Sequence, residues 1–275
     1  MQDKMTDKIK MVVCDMDGTL LRSDLSVSKL SLEAIDYLRK KKIIFTVATG
    51  RPDQLMKEYV DLLGLNDFFI MYNGTVVGNP FLNDRLYEKH LNTKEVLEIV
   101  RFLEKEKILY MVYTLDRIIS KPHFRAKYFL DRNNNLSERQ KSVIEDIEDL
   151  ESQLKNHVVN KILVIEPDYE KFVMIKDKYE KKENLTVVMS QSTFLDINPS
   201  GTSKGKALSI LADYYNIKSD EILVFGDQEN DISMFEYAKY SVAMSNATKK
   251  VKDLAYDITF TNDDDGFARW VMSNI

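Results

Sequence analysis

The chain has 275 residues and a formal net charge of -5, with 44% hydrophobic and 30% charged residues. This length suits a core with an inserted domain, and the composition is typical of a folded globular protein. Lysines interleaved with Asp and Glu leave no basic stripe, which argues against a nucleic-acid partner. The single cysteine, Cys14, excludes an intramolecular disulfide and a cysteine-based zinc site. The polar start, Met1 to Lys10, and the lack of a membrane-length apolar run predict a cytoplasmic protein with no membrane partner.

The N-terminal third alternates short apolar runs with helical patterns. Strands are predicted over residues 11–14, 43–47 and 68–71, and the spacing of Leu32, Ile35 and Leu38 predicts a helix over 28–42. A second helix is predicted to begin near Pro52 and to stop at Gly64. Strands that alternate with helices in this way favour a parallel sheet with crossover helices.

From about Asp84 the pattern changes to that of a second α/β unit. Asn92 and Glu95 form a candidate capping box at the start of a helix. Further strands are predicted at 110–113, 118–120, 161–166 and 185–189, a helix at 169–182, and a highly charged helix from Ser137 to Leu154. No catalytic cluster is evident in this third of the sequence.

After about Ser190 the first pattern returns. The sequence predicts strands at 194–197, 222–225, 240–244 and 258–260, and a helix at 203–215. The fold class is therefore predicted to be α/β, with a doubly wound, mostly parallel sheet formed by residues 1–83 and 190–275. Residues 84–189 are predicted to be an inserted α/β domain.

Polar clusters occur where predicted strands end or helices begin, and ligands of open parallel sheets bind at the carboxyl ends of the strands. The first cluster is Asp15-Met16-Asp17-Gly18-Thr19, directly after an apolar strand. A carboxylate can attack phosphorus, and a second carboxylate can protonate the leaving oxygen and then activate water. Gly18 permits a sharp turn. The alternative is a turn with Asp at its usual positions.

Two further clusters suit an anion. Thr49-Gly50-Arg51 offers a hydroxyl and backbone N–H groups at a helix start, although a simple helix cap is the alternative. Lys204 lies near the start of a predicted helix, where its charge opposes the helix dipole unless an anion is nearby. The alternative for Lys204 is an ordinary solvent-facing lysine.

The fourth cluster, Gly226-Asp227-Gln228-Glu229-Asn230-Asp231, crowds three carboxylates and an amide at the end of a buried strand. Such crowding is repulsive unless a cation compensates, and hard oxygen ligands favour magnesium over zinc. An acidic loop, or Asp231 acting only as a helix cap, is the alternative.

Taken together and in this order, the four clusters resemble those of the haloacid dehalogenase-like (HAD) phosphatase superfamily. The segment from Ile222 to Ala247, Asn73-Gly74 after the third strand, and residues 262–266 resemble its Cof-type sugar-phosphatase branch. The resemblance covers the two core segments by motif and the insert only by length and pattern. It implies a HAD-like Rossmannoid core with an inserted cap domain that selects the substrate.

The resemblance also implies roles for the acidic residues. Asp15 is expected to be the nucleophile and Asp17 the general acid and base. Mg²⁺ is expected to be held by the Asp15 carboxylate, the Asp17 backbone carbonyl and Asp227, with Asp231 supporting the metal from the second shell of ligands. The expected phosphate-binding residues are Met16, Thr49, Gly50, Lys204 and Asn230.

The predicted activity is magnesium-dependent hydrolysis of small phosphomonoesters, such as sugar phosphates or phosphorylated cofactors, by a monomer or homodimer. Two alternatives stay open: a phosphotransferase or phosphomutase on the same fold, and a non-catalytic protein that binds a phosphorylated ligand. In the insert, His123 and Arg125 are candidates for substrate contact because they are polar and lie near a predicted loop.

Overall fold

The structure is a computed structural model that describes residues 8–82, 84–146, 153–154 and 157–275. The chain divides into two compact units. The first contains the described residues of Met1–Thr49 together with Asp67–Ile70 and Ser203–Ile275, and the second contains Gly50–Asn66 and the described residues of Met71–Thr202.

The strands are short and follow the apolar runs of the sequence. In chain order they are β1 (Met11–Cys14), β2 (Ile44–Val47), β3 (Phe69–Met71), β4 (Val76–Gly78), β5 (Arg85–Glu88), β6 (Leu109–Tyr113), β7 (Ile118–Ser120), β8 (Ile144–Asp146), β9 (Lys161–Ile165), β10 (Leu185–Gln191), β11 (Phe194–Pro199), β12 (Ile222–Gly226), β13 (Tyr240–Ala243) and β14 (Asp257–Ile258).

Most of the helices begin at a residue whose side chain accepts a hydrogen bond from the first turn. In chain order they are α1 (Lys29–Lys40), α2 (Asp53–Leu63), α3 (Thr93–Lys105), α4 (Phe124–Asn133), α5 (Tyr169–Glu180), α6 (Lys204–Tyr215), α7 (Ile232–Tyr237), α8 (Lys249–Leu254) and α9 (Gly266–Asn274). The Ser203 hydroxyl accepts from the Lys206 N–H at the start of α6, and Gly64 ends α2 in the left-handed conformation. The predicted stop at Gly64 is therefore confirmed.

The first unit is built on a parallel sheet in the order β14-β13-β12-β1-β2. Val13 of β1 lies between Val224 of β12 and Thr46 of β2, and both pairings are parallel. From β1 the chain continues to β2 on one side, whereas β12 to β14 lie on the other side. The winding direction therefore reverses between β1 and β12, which makes that boundary the topological switch point. The predicted α/β fold class is confirmed in this sheet.

Both central strands of this sheet are buried along their whole length. A strand covered on both faces is expected to be a continuous apolar run, as β1 and β12 are. The ring of Phe225 on β12 packs edge-to-face against Phe267 and Trp270 of α9, with centroid distances of 5.1 and 5.5 Å. These aromatic contacts fix α9 against the sheet.

The second unit contains a mixed sheet in the order β10-β11-β9-β6-β7-β8. Its pairs are antiparallel except for β7 with β8. Strand β11, which follows the boundary predicted at 189/190, pairs with β9 and β10 in this sheet. Apolar side chains of α3, α5 and the strands form its core, among them Val96, Ile99, Leu103, Val112, Ile162, Val164, Phe172, Ile175 and Ile197.

The charged helix predicted from Ser137 to Leu154 is wrong over residues 137–146, whereas residues 153–154 are helical. Residues 138–140 form a short 3₁₀ turn, and β8 follows with Ile144 opposite Ile118 of β7. Glu145 of β8 accepts from the Arg117 guanidinium at 2.7 Å. Charges that suggested a solvated helix are equally suited to the last strand of a sheet, where they discourage further pairing. Residues 147–152 of this prediction lie outside the described residues.

Candidate active site

The first cluster lies at the switch point of the parallel sheet. Asp15 directly follows β1 and Asp227 directly follows β12, and these two strands are neighbours. The Asp15 N–H donates to the Phe225 carbonyl at 3.0 Å, so the hydrogen bonding between β1 and β12 continues as far as Asp15. The predicted convergence of these two clusters is confirmed, because parallel strands end at the same edge of a sheet.

Lys204 joins the third cluster to the first and fourth. Its Nζ lies 2.6 Å from Asp15 Oδ1 and 2.6 Å from Asp231 Oδ1. All three side chains are at least nine-tenths buried. The expected negative charge near Lys204 is present, because the carboxylates of Asp15 and Asp231 contact its ammonium group. The solvent-facing alternative for Lys204 is wrong, since the side chain is buried.

Close packing of α6 against α7 brings Lys204 to this point. The next residue, Gly205, has no room for a side chain, because a Cβ there would lie 2.0 Å from the Ser233 carbonyl oxygen. The Gly205 N–H donates to the Ser233 hydroxyl at 3.0 Å. This glycine therefore lets the start of α6 approach the fourth cluster.

Asp231 organises the loop after β12. Its Oδ2 accepts from the backbone N–H groups of Asp227 at 2.9 Å and Gln228 at 3.0 Å, while its Oδ1 faces Lys204. A Cβ at Gly226 would lie 2.6 Å from the Asp231 side chain, so the loop needs glycine there. The alternative that Asp231 acts only as a helix cap is therefore wrong, because its side chain links the backbone of the loop to the buried Lys204.

The carboxylates of Asp15, Asp227 and Asp231 offer oxygens that all lie within 4.8 Å of one another. Gly18 keeps this space open, since its φ is +78° and a Cβ there would lie 2.5 Å from Asp227 Oδ2. The Thr19 hydroxyl donates to Asp227 Oδ1 at 2.8 Å and orients that carboxylate. Three buried carboxylates against one lysine leave an excess of negative charge, so these hard oxygen donors fit a magnesium ion.

Burial perturbs the ionisation of the whole cluster. It raises the pKa of Asp15 well above its ordinary value, which Lys204 opposes and the carboxylates of Asp231 and Asp227 reinforce. Burial and the Asp231 charge raise the pKa of Asp227 to about 7. Burial alone would lower the pKa of Lys204, but Asp15 and Asp231 together raise it above its ordinary value, so the ammonium stays charged.

The remaining predicted residues near Asp15 lie in the turn that follows β1. Met16 is fully buried, and its carbonyl accepts from the Leu21 N–H at 2.8 Å. Asp17 is half-buried, and its backbone bridges to Leu21. Cys14, on the other side of Asp15, is fully buried, and burial together with the Asp15 charge raises the pKa of its thiol. It is a core residue at the end of the strand.

The other predicted phosphate-binding residues fall in different places. Thr49 is fully buried in the first unit, where its N–H donates to the Ile70 carbonyl at 2.9 Å. Asn230 is half-buried in the 3₁₀ turn of residues 229–231. Gly50 belongs to the second unit, where a Cβ would lie 2.8 Å from Asn73 Oδ1. The assignment of these residues to phosphate binding stays a prediction.

Two amide side chains near the C-terminus support the turn after β1, a role that the sequence analysis assigns to neither. Asn246 donates to the Gly18 carbonyl at 2.7 Å, and Asn262 donates to the Leu21 carbonyl at 2.8 Å. The Asn262 N–H in turn donates to Asn246 Oδ1 at 3.1 Å. The available signal was the occurrence of each asparagine shortly after a predicted strand of the core.

The two candidates in the insert have contacts within the second unit. His123 caps α4, a helix that the sequence analysis does not predict, and its Nε2 lies 2.9 Å from the Ser120 hydroxyl. The Arg125 guanidinium lies over the rings of Tyr128 and Phe194, 4.9 and 5.3 Å from their centroids. These contacts stabilise the unit, and a substrate role for either residue stays a prediction.

The fold and the site together define an α/β enzyme core with a lysine-paired acidic centre at its switch point. The sequence profile of the haloacid dehalogenase-like hydrolases matches residues 12–271, so the chain belongs to that family. This confirms the resemblance inferred from the motifs. Across the described residues, none of the helices combines the length and the apolar character needed to cross a bilayer.

Similarity to individual proteins extends over nearly the whole chain. Phosphatase YwpJ of Bacillus subtilis is 32% identical, over 94% of this chain and 98% of its own. The 5-amino-6-(5-phospho-D-ribitylamino)uracil phosphatase YwtE of the same organism is 28% identical, over 96% of this chain and 97% of its own. A solved haloacid dehalogenase-like hydrolase from B. subtilis superposes with a TM-score of 0.85 at 28% identity, over 97% of this chain and 100% of that one.

Proposed function

We propose that the protein is a magnesium-dependent phosphatase that hydrolyses small phosphorylated metabolites, such as sugar phosphates or phosphorylated cofactors, through an aspartyl-phosphate on Asp15. The observation that carries this proposal is the position of Asp15 at the switch point, 2.6 Å from the buried ammonium of Lys204 and beside Asp227 and Asp231. Its family and the phosphatase names of its relatives support the same class of reaction.

In the first step, a carboxylate oxygen of Asp15 attacks the phosphorus of the ester. A bond forms between that oxygen and phosphorus, and the bond from phosphorus to the ester oxygen breaks. Asp17 gives its proton to the departing oxygen, which leaves as an alcohol. The half-buried position of Asp17 in the turn after β1 suits a group that must exchange a proton with substrate and water.

In the second step, a water molecule attacks the phosphorus of the aspartyl-phosphate and gives a proton to Asp17. The bond between phosphorus and the Asp15 oxygen breaks, which releases inorganic phosphate and restores both carboxyl groups. Splitting the reaction in two is useful because direct hydrolysis of a phosphate monoester is extremely slow.

Positive charge is the other requirement, since the transition state spreads negative charge over the phosphoryl oxygens. The ammonium of Lys204 supplies one such charge, fixed in a buried setting where it needs little reorganisation. The Asp15 and Asp227 carboxylates and the Asp17 carbonyl would hold Mg²⁺, with Asp231 supporting them. When bound, the ion would offset the carboxylate charge and help to neutralise the phosphoryl group.

We further propose that residues 84–189 act as a cap that selects the leaving group. The core motifs account for the chemistry of the phosphoryl group alone, so the choice among esters requires other residues. The predicted substrate-facing positions His123 and Arg125 are the first to vary in a test of this assignment.

The proposal is tested by measuring phosphate release from a panel of small phosphomonoesters with and without magnesium. The panel should include sugar phosphates and 5-amino-6-(5-phospho-D-ribitylamino)uracil, the compound named for the relative YwtE. The Asp15→Asn variant keeps the shape of the side chain but removes the nucleophile, so its rate should fall by at least about 10³-fold. Asp36→Asn, which removes an exposed carboxylate from α1, should match the wild type.

Two further measurements test the role of Asp17 and distinguish hydrolysis from phosphoryl transfer. Asp17→Asn should slow turnover and remove the acid–base limb of the pH profile, while the carbonyl that would hold magnesium is retained. Transfer of the phosphoryl group to an added sugar, in preference to water, would instead identify a phosphotransferase. A folded Asp15→Asn variant that releases phosphate at the wild-type rate would exclude the proposed mechanism.

A further inference from the structure

A pocket of about 620 Å³ lies within the first unit, between the segment around β14 and helix α9. Five apolar side chains line it: Leu30, Ile258, Phe260, Trp270 and Met272. The carboxylates of the acidic centre take no part in this lining, so the pocket is a separate site of the same unit. It is called the α9 pocket below. Small-molecule sites typically have volumes of about 300–1,000 Å³ and a mainly apolar lining.

Large apolar side chains of the α9 pocket are open to solvent. Ile258 is 49% exposed, Phe260 55% and Met272 48%. Single exposed apolar residues are ordinary on a protein surface, but several that meet in one concavity mark a binding site. Strand β14 is only two residues long, so its outer edge offers little backbone for pairing with a further strand. The exposed side chains therefore suit a small ligand better than an added β-strand.

The backbone of Phe260 is held in place on two sides. Its carbonyl accepts from the Ser245 N–H at 3.2 Å. A Cβ at Gly266 would lie 2.3 Å from the same carbonyl oxygen, so the start of α9 packs directly on it. The Trp270 indole N–H donates to Asp257 at 2.7 Å, which leaves the indole ring as an apolar surface. Because these groups are fixed within the fold, the pocket is already formed without a ligand.

One positive charge, that of Arg269, lines the same pocket. Its guanidinium carbon lies 5.1 Å from the centroid of the Phe260 ring. Asp265, one helical turn earlier, is already held by Arg22 at 2.8 and 3.0 Å. In the described part of the chain, the Arg269 guanidinium has no ion pair with a carboxylate. A guanidinium that lies over a ring keeps its N–H groups available for an anion.

We propose that the α9 pocket binds a small aromatic molecule that carries one negatively charged group, such as an aryl carboxylate or sulfonate. The rings of Phe260 and Trp270 provide a surface on which an aromatic body can pack. Arg269 provides charge-assisted hydrogen bonds for the anionic group. The inference concerns a second site and does not depend on the proposed phosphatase function.

The test uses two fluorescent probes that differ in charge. One is 8-anilino-1-naphthalenesulfonate, an aromatic anion, and the other is N-phenyl-1-naphthylamine, which has the same aromatic body without the sulfonate. Trp270 is the sole tryptophan and lines the pocket, so transfer of its excitation to a probe reports binding there. The Kd of each probe is measured for the wild type and for variants whose fold is checked by far-UV circular dichroism and the thermal midpoint.

Arg269→Gln should raise the Kd of the anionic probe by about fivefold or more and leave that of the neutral probe unchanged, because only the anion uses the charge. Met272→Glu places a carboxylate three residues after Arg269 on the same helix, where it competes for the guanidinium, and should weaken the anionic probe by a similar factor. Arg39→Gln, the matched control, removes a half-exposed arginine of α1 that does not line the pocket and should retain both wild-type constants.

Arg269 and Met272 are both exposed, so each variant should fold. An unchanged Kd of the anionic probe in the two folded variants, or no transfer from Trp270 in the wild type, would overturn the inference. Sedimentation velocity tests a different occupant: a dimer that binds neither probe and that Met272→Glu converts to a monomer would assign the pocket to a second copy of the chain. A wild-type protein that hydrolyses no ester would overturn the proposed function and leave this inference standing.

Discussion

Asp53 is a buried carboxyl group that we expect to make the stability of the second unit depend on pH. It is 4% exposed at the first residue of α2, and the Tyr72 hydroxyl donates to its Oδ1 at 2.6 Å. The same hydroxyl lies 2.9 Å from the Thr114 carbonyl, which also accepts from the Gln54 amide. Tyr72 has one proton, so a protonated Asp53 that donates to Tyr72 lets Tyr72 donate to Thr114.

The magnitude follows from the pKa of this group. Burial raises the pKa of Asp53 from 3.8 to about 7, against the hydrogen bond from Tyr72 and the positive charges of Lys57 and Arg85. Because the folded state holds the proton more tightly, the resulting stabilisation is complete below about pH 4 and is lost as the pH rises to about 7. A rise of about three pH units at 1.36 kcal/mol each gives about 4 kcal/mol.

The test compares the wild type with Asp53→Asn, which keeps an acceptor oxygen but cannot titrate. The free energy of unfolding of the wild type, relative to the variant, should fall by about 4 kcal/mol between pH 4 and pH 8. Urea titrations in the presence of a chelator, followed by far-UV circular dichroism, measure this difference. The sole tryptophan, Trp270, lies in the first unit, so its fluorescence identifies the transition of that unit.

The control is Asp36→Asn, which removes an exposed carboxylate and should give a nearly constant difference across the same range. A constant difference for Asp53→Asn as well would refute the reasoning. It would mean that Asp53 ionises in the folded protein as easily as in the unfolded chain, and that Tyr72 donates to a charged carboxylate throughout.

Three further changes test the first unit. Gly18→Ala should raise the magnesium concentration for half-maximal phosphate release by roughly tenfold, because the backbone has φ of +78° and a Cβ would lie 2.5 Å from Asp227 Oδ2; an unchanged magnesium dependence would contradict this. Asn262→Ala should lower the free energy of unfolding by about 1–3 kcal/mol in a urea titration, since the Leu21 carbonyl loses its donor. Magnesium at a hundredfold excess over its Kd should stabilise the first unit by about 2.7 kcal/mol, measured by Trp270 fluorescence, and Asp227→Asn should abolish this gain.

The centre of the site could be predicted from sequence because its signals are local. Asp15 and Asp227 each end a continuous apolar run, and buried parallel strands are the usual reason for such runs. Once both strands belong to one sheet, their carboxyl ends must lie at the same edge. Gly64 likewise stops α2 through a conformation that glycine adopts readily.

The contacts that organise the site could not be predicted in the same way. Lys204 meets Asp15 across 189 positions of sequence. Such pairs depend on strand register and helix packing, which short sequence patterns do not specify. The error at 137–146 has a related cause, because a charged segment with spaced apolar residues fits a solvated helix and a terminal strand equally well. Only the pairing of Ile144 with Ile118 decides between them.

The buried thiol of Cys14 provides a way to measure how often the central strand β1 opens. It is the only cysteine in the chain, it is fully buried at the end of β1, and its raised pKa keeps it in the unreactive protonated form. A thiol reagent can therefore modify the protein only when β1 separates from its neighbours. The labelling rate then counts these openings directly, and any ligand of the adjacent acidic centre should slow it in proportion to its occupancy.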